Sequence, residues 1–309
     1  MPTRTTPAVA ASGAIGSVCA CSPRPRPVYL KLESLQRTGA FKARGALSKA
    51  TTFSPGELKR GIICASTGNH GLGVAYASAC LGARCTVVLP ENGNPYKTVL
   101  LKQLGAEVLN HGTTSDERQE KVDQLCRERG YSQIHPFADP AVIAGQGTAG
   151  LEILEDLPDL DEVYVPIGGG GLISGIAVAI KEQHPRTRIL GVEPERSNAM
   201  WEALRHDGPF ALPRVDTIAD GLAARITEAL NYSIVRQYVD EIVLVSDQAI
   251  IESMLFLLEQ AKVYAEPSGA ASFAGLLARS GGQGRAVAVV SGGNITLEQL
   301  DKLRSNQCN

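Results

Sequence analysis

EVYVPIGGGGLISGIAVAI, residues 162–180, is the stretch that decides the fold. Glu162–Ile167 is apolar and β-branched, the signature of a buried strand, and the last nine residues, Leu172–Ile180, carry apolar residues at helical spacing. Only four consecutive glycines, Gly168–Gly171, separate them. A strand that passes so directly into a helix is the building unit of a parallel sheet covered by helices. Outward from this unit the same alternation predicts strands at Val28–Glu33, Gly61–Ser66, Arg84–Pro90, Glu107–Asn110, Gln133–Pro136, Ile189–Glu193, Glu241–Val245 and Arg285–Val290. Helical patterns fill the gaps, for example at Asn94–Leu104, Ser115–Arg129, Ala141–Leu157 and Gln248–Tyr264. The chain is therefore an α/β protein, and nine strands predict two sheets.

At 309 residues the chain has room for two domains, or one large one, and for an enclosed site. A formal net charge of −2, without a long single-sign run, leaves no electrostatic footprint for nucleic acid, so a small-molecule ligand is expected. Seven cysteines (Cys19, Cys21, Cys64, Cys80, Cys85, Cys126, Cys308) form no CxxC pair, which fits a reducing compartment and predicts a cytoplasmic protein. No apolar run approaches the roughly 18–20 residues that span a bilayer, so no membrane association is expected. Residues 1–27 contain arginine, serine and threonine but no acid. That composition reads either as an organelle transit peptide or as an irregular lead-in stiffened by Pro23, Pro25 and Pro27.

Four glycine-bearing segments occupy the strand-end and helix-start positions where α/β proteins bind ligands. TGAFKARGA places Lys42 just after a Thr-Gly turn at a helix start, as a solvated surface residue or as a covalent anchor. STGNHG, Ser66–Gly71, follows a strand and either offers amides and hydroxyls to a carboxylate or is a plain turn with Asn69 as helix cap. Gly168–Gly171, with no side chains, lets backbone amides close around a phosphate. VVSGGN ends the last strong strand with Ser291, a wall residue or a turn cap. Neither G-x-x-x-x-G-K-[ST] nor G-x-G-x-x-G is present, which counts against ATP and NAD.

LKLESLQRTGAFKARGA, ASTGNHG, IAGQGTAGLEI, IGGGGLISG, TIADG, EPSGA and SGGN follow one another in this order. Together they resemble the fold-type II pyridoxal-5′-phosphate (PLP) family of threonine and serine dehydratases, which also contains serine racemase, over nearly the whole chain from about residue 28. The resemblance implies a tryptophan synthase β-like architecture: two open twisted α/β domains with the cofactor in the cleft between them. The larger would be residues 1–47 plus 146–309, and the smaller, 48–145, would close over the site. It also implies a homodimer. Carried over residue by residue, Lys42 forms the Schiff base, and Gly168, Gly169, Gly170 and Gly171 hold the cofactor phosphate. Asn69 bonds the ring hydroxyl, Phe41 lies beside the ring, and Ser291 faces the pyridine nitrogen. Ser66, Thr67, Gly68, Asn69 and His70 receive the substrate carboxylate. A neutral partner such as Ser291 leaves the ring nitrogen unprotonated, which favours elimination over transamination. The expected activity is β-elimination from a small β-hydroxy-amino acid, L-threonine or L-serine, giving a 2-oxo acid and ammonia, with Lys42 as general base.

Several positions bear on competing readings. The racemase carries its second base two residues before the motif asparagine; here that position is Thr67, which keeps a hydroxyl and adds a methyl. Phe137 resembles the dehydratases, where the racemase has asparagine. In EPERSNAM, Glu193 matches one carboxylate of the racemase's divalent-metal site, but Ala199 replaces the other. Losing one oxygen ligand argues against Mg²⁺, and no metal is expected unless Glu195 compensates or a monovalent cation binds. 3-Hydroxyaspartate, phenylserine and a hydroxyectoine-derived amino acid are further substrate candidates, to be read by Phe137 and residues near Ala223–Arg225. Arg225 is either a reader of an acidic side chain or a surface residue. The chain stops soon after SGGN, so no isoleucine feedback through a long C-terminal regulatory domain is expected. A non-catalytic phosphometabolite sensor would use the glycine loop but has no need of Lys42.

Overall fold

The structure is a computed structural model that describes residues 8–10, 26–66, 68–91, 95–279 and 284–305. Its strands are β1 (Ala8–Ala10), β2 (Val28–Leu32), β3 (Ile62–Ala65), β4 (Cys85–Leu89), β5 (Glu107–Asn110), β6 (Ser132–Gln133), β7 (Glu162–Pro166), β8 (Arg188–Pro194), β9 (Glu241–Val245) and β10 (Ala286–Val290). The first helices are α1 (Lys42–Ala50), α2 (Pro55–Arg60), α3 (Asn69–Cys80), α4 (Pro95–Gln103), α5 (Ser115–Arg129) and α6 (Pro140–Asp156). They are followed by α7 (Gly171–Lys181), α8 (Ala199–Arg205), α9 (Ala229–Tyr238), α10 (Asp247–Glu259), α11 (Pro267–Ala278) and α12 (Leu297–Ser305).

The strands form two sheets, a six-stranded one ordered β1-β2-β10-β7-β8-β9 and a four-stranded one ordered β5-β4-β3-β6. Every pairing is parallel except that of β1 with β2. β1 corrects the reading of 1–27 as a wholly irregular lead-in. Its backbone pairs from Ala8↔Lys31 to Ala10↔Tyr29 and covers what would otherwise be an open sheet edge. The rest of the segment up to residue 25 lies outside the described residues.

Both faces of the larger sheet are buried at its middle, where β7 and β10 are buried at every position, which is why these strands are near-continuous apolar runs rather than alternating. In β10, Ala286, Ala288 and Val290 join one core with Leu30, Tyr164 and Phe273, while Val287 and Val289 join the other with Val163, Val165 and Ile176. The smaller sheet carries its own two cores, one around Ile62, Cys64 and Val87 and one around Ile63, Val88 and Val122.

Two elements end earlier than their sequence pattern, each for a local reason. β6 stops at Gln133, short of Pro136, because the chain's polar groups turn toward the middle of the molecule. Ile134 O accepts from His70, Pro136 O accepts from Lys42, Pro136 has no amide to give, and His135 Nδ1 takes the amides of Phe137 and Ala138. α10 stops at Glu259 instead of Tyr264 because Lys262 adopts φ +57° while its Nζ donates back to Glu259 O at 2.6 Å.

Helices α1, α3, α6 and α7 meet at glycines. A Cβ on Gly73 of α3 would stand 2.8 Å from the carbonyl of Lys42, and one on Gly145 of α6 would stand 2.7 Å from Arg44 O of α1. On Gly147 of α6 it would lie 2.9 Å from Gly175 O of α7. These helices therefore pack main chain against main chain, and the turns at their N-termini are brought together between the two sheets.

Candidate active site

Residues at or just past the C-terminal ends of β3, β6, β7 and β10 line a cavity of about 360 Å³ between the sheets, a volume suited to a small ligand. Phe41, Lys42, Ser66, Gly68, Asn69, His70, Gly168–Gly171 and Ser291 all line it. Thr67 lies outside the described residues. Sequence positions up to 250 residues apart thus converge on one space.

Lys42 is the first residue of α1, and its Nζ donates to Pro136 O at 2.7 Å, 5.1 Å from the centre of the Phe41 ring. Burial depresses its pKa to about 8, against a small opposing effect of Cys64. The turn before it is fixed to the end of β10 by a bond from Phe41 N to Ser291 O at 3.0 Å. Ser291 Oγ donates to Ser268 O at 3.3 Å.

Across the cavity, the residue just before α7 is Gly170, whose φ of +86° is open to glycine and strained for other residues. Having no side chain, Gly170 provides no cap, so the positive end of the helix dipole faces the cavity bare of acid. The Phe137 ring lies against Gly169 where a Cβ would otherwise stand. Beside Gly170, the buried Asn231 donates to Phe137 O at 3.3 Å and to Ser174 Oγ at 3.4 Å, while its Oδ1 has no partner.

The turn into α3 is organised by Ser66, whose Oγ accepts from Gly68 N at 3.0 Å and Gly71 N at 2.9 Å and donates to Gly68 O at 3.3 Å. Gly68, not Asn69, is the capping position. Asn69 opens the helix with both ends of its amide held: Nδ2 donates to Glu266 Oε1 at 2.5 Å and Oδ1 accepts from Asn294 Nδ2 at 2.8 Å. His70 donates from Nε2 to Ile134 O at 2.9 Å; burial and the nearby Lys42 lower its pKa to about 3, so the ring is neutral.

Glu266, Lys97 and Asp220 also line the cavity and received no role from the sequence. Burial, and secondarily Asp220, push Glu266 up to about 7, partly offset by Lys97 and Asn69. Lys97 Nζ pairs with Asp220 Oδ2 at 3.0 Å and stands directly over Gly68. The signal available for Glu266 was EPSGA: an acid just before a helix-opening proline is placed to cap, yet its side chain makes no cap bond. Arg225 sits at the mouth, paired with Asp116 at 3.3 Å, with Ala223 and Phe137 also lining the cavity. Glu193 stands apart. Its carboxylate accepts Met200 N at 3.0 Å and Trp201 N at 2.8 Å, and burial raises it to about 8. Among the described residues no three His, Cys, Asp or Glu side chains gather as metal ligands.

A phosphorylated pyridine aldehyde needs a buried amine that can lose its proton, an anion site free of acids and a flat slot between them. Lys42, whose Nζ rests on a carbonyl, the uncapped glycine start of α7 and the space between the sheets meet those needs. The profile of a family described as pyridoxal-phosphate dependent enzyme matches residues 17–292. The chain belongs to this family. This pyridoxal-phosphate dependent enzyme is 45% identical over 277 residues to L-threonine ammonia-lyase of Thermotoga maritima, covering 89% of this chain and 69% of the relative. It is 42% identical over 281 residues to L-threonine dehydratase catabolic TdcB of Escherichia coli K12, covering 89% of this chain and 85% of that protein. Among solved structures it is similar to the processed form of threonine deaminase isoform 2 from Solanum lycopersicum (TM-score 0.93, 33% identity, 98% of this chain and 83% of that one). It is similar also to maize serine racemase (TM-score 0.91, 32% identity, 99% and 93%). The enzyme has the fold-type II architecture and pyridoxal phosphate as its cofactor.

Proposed function

We propose that the enzyme is an L-threonine ammonia-lyase, converting L-threonine to 2-oxobutanoate and ammonia. The observation that carries this reading is Lys42 Nζ, an amine on a half-buried side chain at the opening of α1, held by one carbonyl and lowered by desolvation to a pKa of about 8. The names of the relatives add L-threonine. Lys42 would carry the cofactor, Gly168–Gly171 its phosphate, Asn69 its ring hydroxyl and Ser291 its ring nitrogen, with Phe41 beside the ring. The cofactor, when bound, supplies an electron sink at the substrate's α-carbon.

The chain's own residues do the rest. The turn Ser66–His70, at the positive end of the α3 dipole, orients the carboxylate. Lys42, already shifted towards neutrality, takes the α-proton on Nζ. Loss of the β-hydroxyl as water and hydrolysis of the resulting enamine release the 2-oxo acid and ammonia. Phe137 forms the apolar wall against the substrate methyl, which favours threonine over serine. Residues 48–145 form the smaller domain and close over the cleft, excluding water. We assign the enzyme to the cytoplasm, on Cys64, Cys80, Cys85 and Cys126 being free thiols, and to a homodimer, on the resemblance. Among the described residues no helix is long and apolar enough to cross a membrane.

The test is 2-oxo acid and ammonia release from L-threonine, L-serine, D-serine, the 3-hydroxyaspartates and phenylserine, with Lys42→Ala alongside. L-Threonine is expected to turn over fastest and Lys42→Ala to lose at least about 10³-fold. Borohydride reduction followed by peptide mapping should place the cofactor on Lys42. Labelling elsewhere, or no lysine-dependent product from any substrate, overturns the assignment.

A further inference from the structure

Two residues beyond Lys42 on the same helix, Arg44 is buried and takes no part in lining the cavity. Side chains two apart on an α-helix point about 200° apart, so whatever grips Arg44 sets the direction in which Lys42 points. The grip is extensive. Arg44 Nε and Nη2 donate to Glu33 Oε2 and Oε1 at 2.8 and 2.9 Å, and Nη1 and Nη2 donate to Glu152 Oε1 and Oε2, both at 2.7 Å. Nη1 also donates to Thr148 Oγ1 at 2.9 Å, and Lys31 Nζ donates to Glu152 Oε2 at 2.6 Å. Lys31 lies in β2 of the large sheet and Glu33 just past its end, and Thr148 and Glu152 lie on α6, so Arg44 ties α1 to both.

Lys31 and Arg44 balance Glu33 and Glu152 in charge. Burial alone would lower Arg44, but its bonds to both glutamates outweigh this and keep it ionised. A buried ion group is poor evidence of stabilisation, since apolar residues of equal volume commonly serve as well or better. What a planar fork gripped by two carboxylates does give is a fixed orientation, which a point charge cannot.

We propose that the Lys31–Glu33–Arg44–Glu152 quartet is a positioning device that sets the rotation of α1 and so aims Lys42 into the cavity. The proposal rests on Lys42 being the cofactor-bearing lysine. It acts through α1 alone, with no contact to substrate.

Two holoenzyme variants test it, with turnover of L-threonine counted per bound cofactor. Arg44→Lys keeps the charge balance but loses the fork. The combined Lys31→Met, Glu33→Leu, Arg44→Met and Glu152→Leu variant removes all four charges at similar volume. Positioning predicts kcat down roughly 10- to 100-fold in both, KM changed less than about twofold, and a shifted visible absorbance of the bound cofactor, while the combined variant keeps or raises Tm. A merely structural role predicts the opposite pairing: Tm changes with kcat per bound cofactor intact. Wild-type kcat in either folded variant overturns the proposal. Should wild type itself show no Lys42-dependent turnover, the proposed function fails, a result separable from either variant's behaviour.

Discussion

The Lys42 side chain has lost most of its water, and this governs when it can react. Only a neutral amine attacks an aldehyde, and depression from 10.5 to about 8 makes that form the majority above pH 8. Each unit below that pH removes about tenfold of it. The rate at which apoenzyme recovers bound pyridoxal phosphate should therefore climb from pH 6 to about 8 and then level. A stopped-flow series following cofactor absorbance checks this, and a rate still climbing at pH 10 would show an ordinary, solvated lysine. Lys42 was legible because its motif surrounds it in sequence. Glu266 was not, since its 2.5 Å bond with Asn69 joins positions 197 residues apart and an isolated acid carries no mark of burial. Asn69 lines the cavity as the first helical residue of α3, and the reading of it as a helix cap is corrected to Gly68.

Among the elements, α7 shows how a sequence pattern and a site can be the same object. The strand, the glycines and the apolar helix of residues 162–180 were all readable, because a short continuous apolar run passes through four glycines into apolar residues at three- and four-residue spacing. What could not be read was which glycine bends. Gly170 does, at φ +86°, and a Cβ there would also press on Met200 Cε at 3.0 Å and Asn231 Cβ at 3.2 Å. Gly170→Ala should cost about 1–2 kcal/mol of stability, lowering Tm by several degrees, and should weaken cofactor affinity in addition. Thermal melts with and without pyridoxal phosphate, together with equilibrium dialysis, separate the two effects; undiminished affinity would remove the loop from the phosphate site. β6 was overestimated for the complementary reason. The strand was read on to Pro136, but the carbonyls of Ile134 and Pro136 serve His70 and Lys42 instead of a neighbouring strand.

For the molecule as a whole, two sheets were foreseen from the count of strands, whereas their order was not, because parallel pairing leaves no local trace of which strands become neighbours. The same distance hid the ion pairs at the cavity mouth. Lys97 and Asp116 come from helices on the small sheet, and their partners Asp220 and Arg225 from the loop that Gly221 N ties to Ser268 Oγ on the large-sheet side. The Asp116–Arg225 pair is solvent-exposed and worth at most about 1 kcal/mol. Asp116→Arg should lower kcat/KM about two- to fivefold by setting like charges face to face, and adding Arg225→Asp should restore it. Steady-state kinetics on the three variants decide this; a double variant as poor as the single one would mean the two residues do not act as a pair. The glycine contacts among α1, α3, α6 and α7 carry a further consequence, for descent. Backbone pressed on backbone admits no gradual substitution, so the floor beneath Lys42 is inherited intact or lost outright. Phe137 and residues 223–225 stand on the cavity's sides as ordinary side chains, each replaceable alone. A lineage built on this scaffold would change its diet by exchanging wall residues over an unaltered floor.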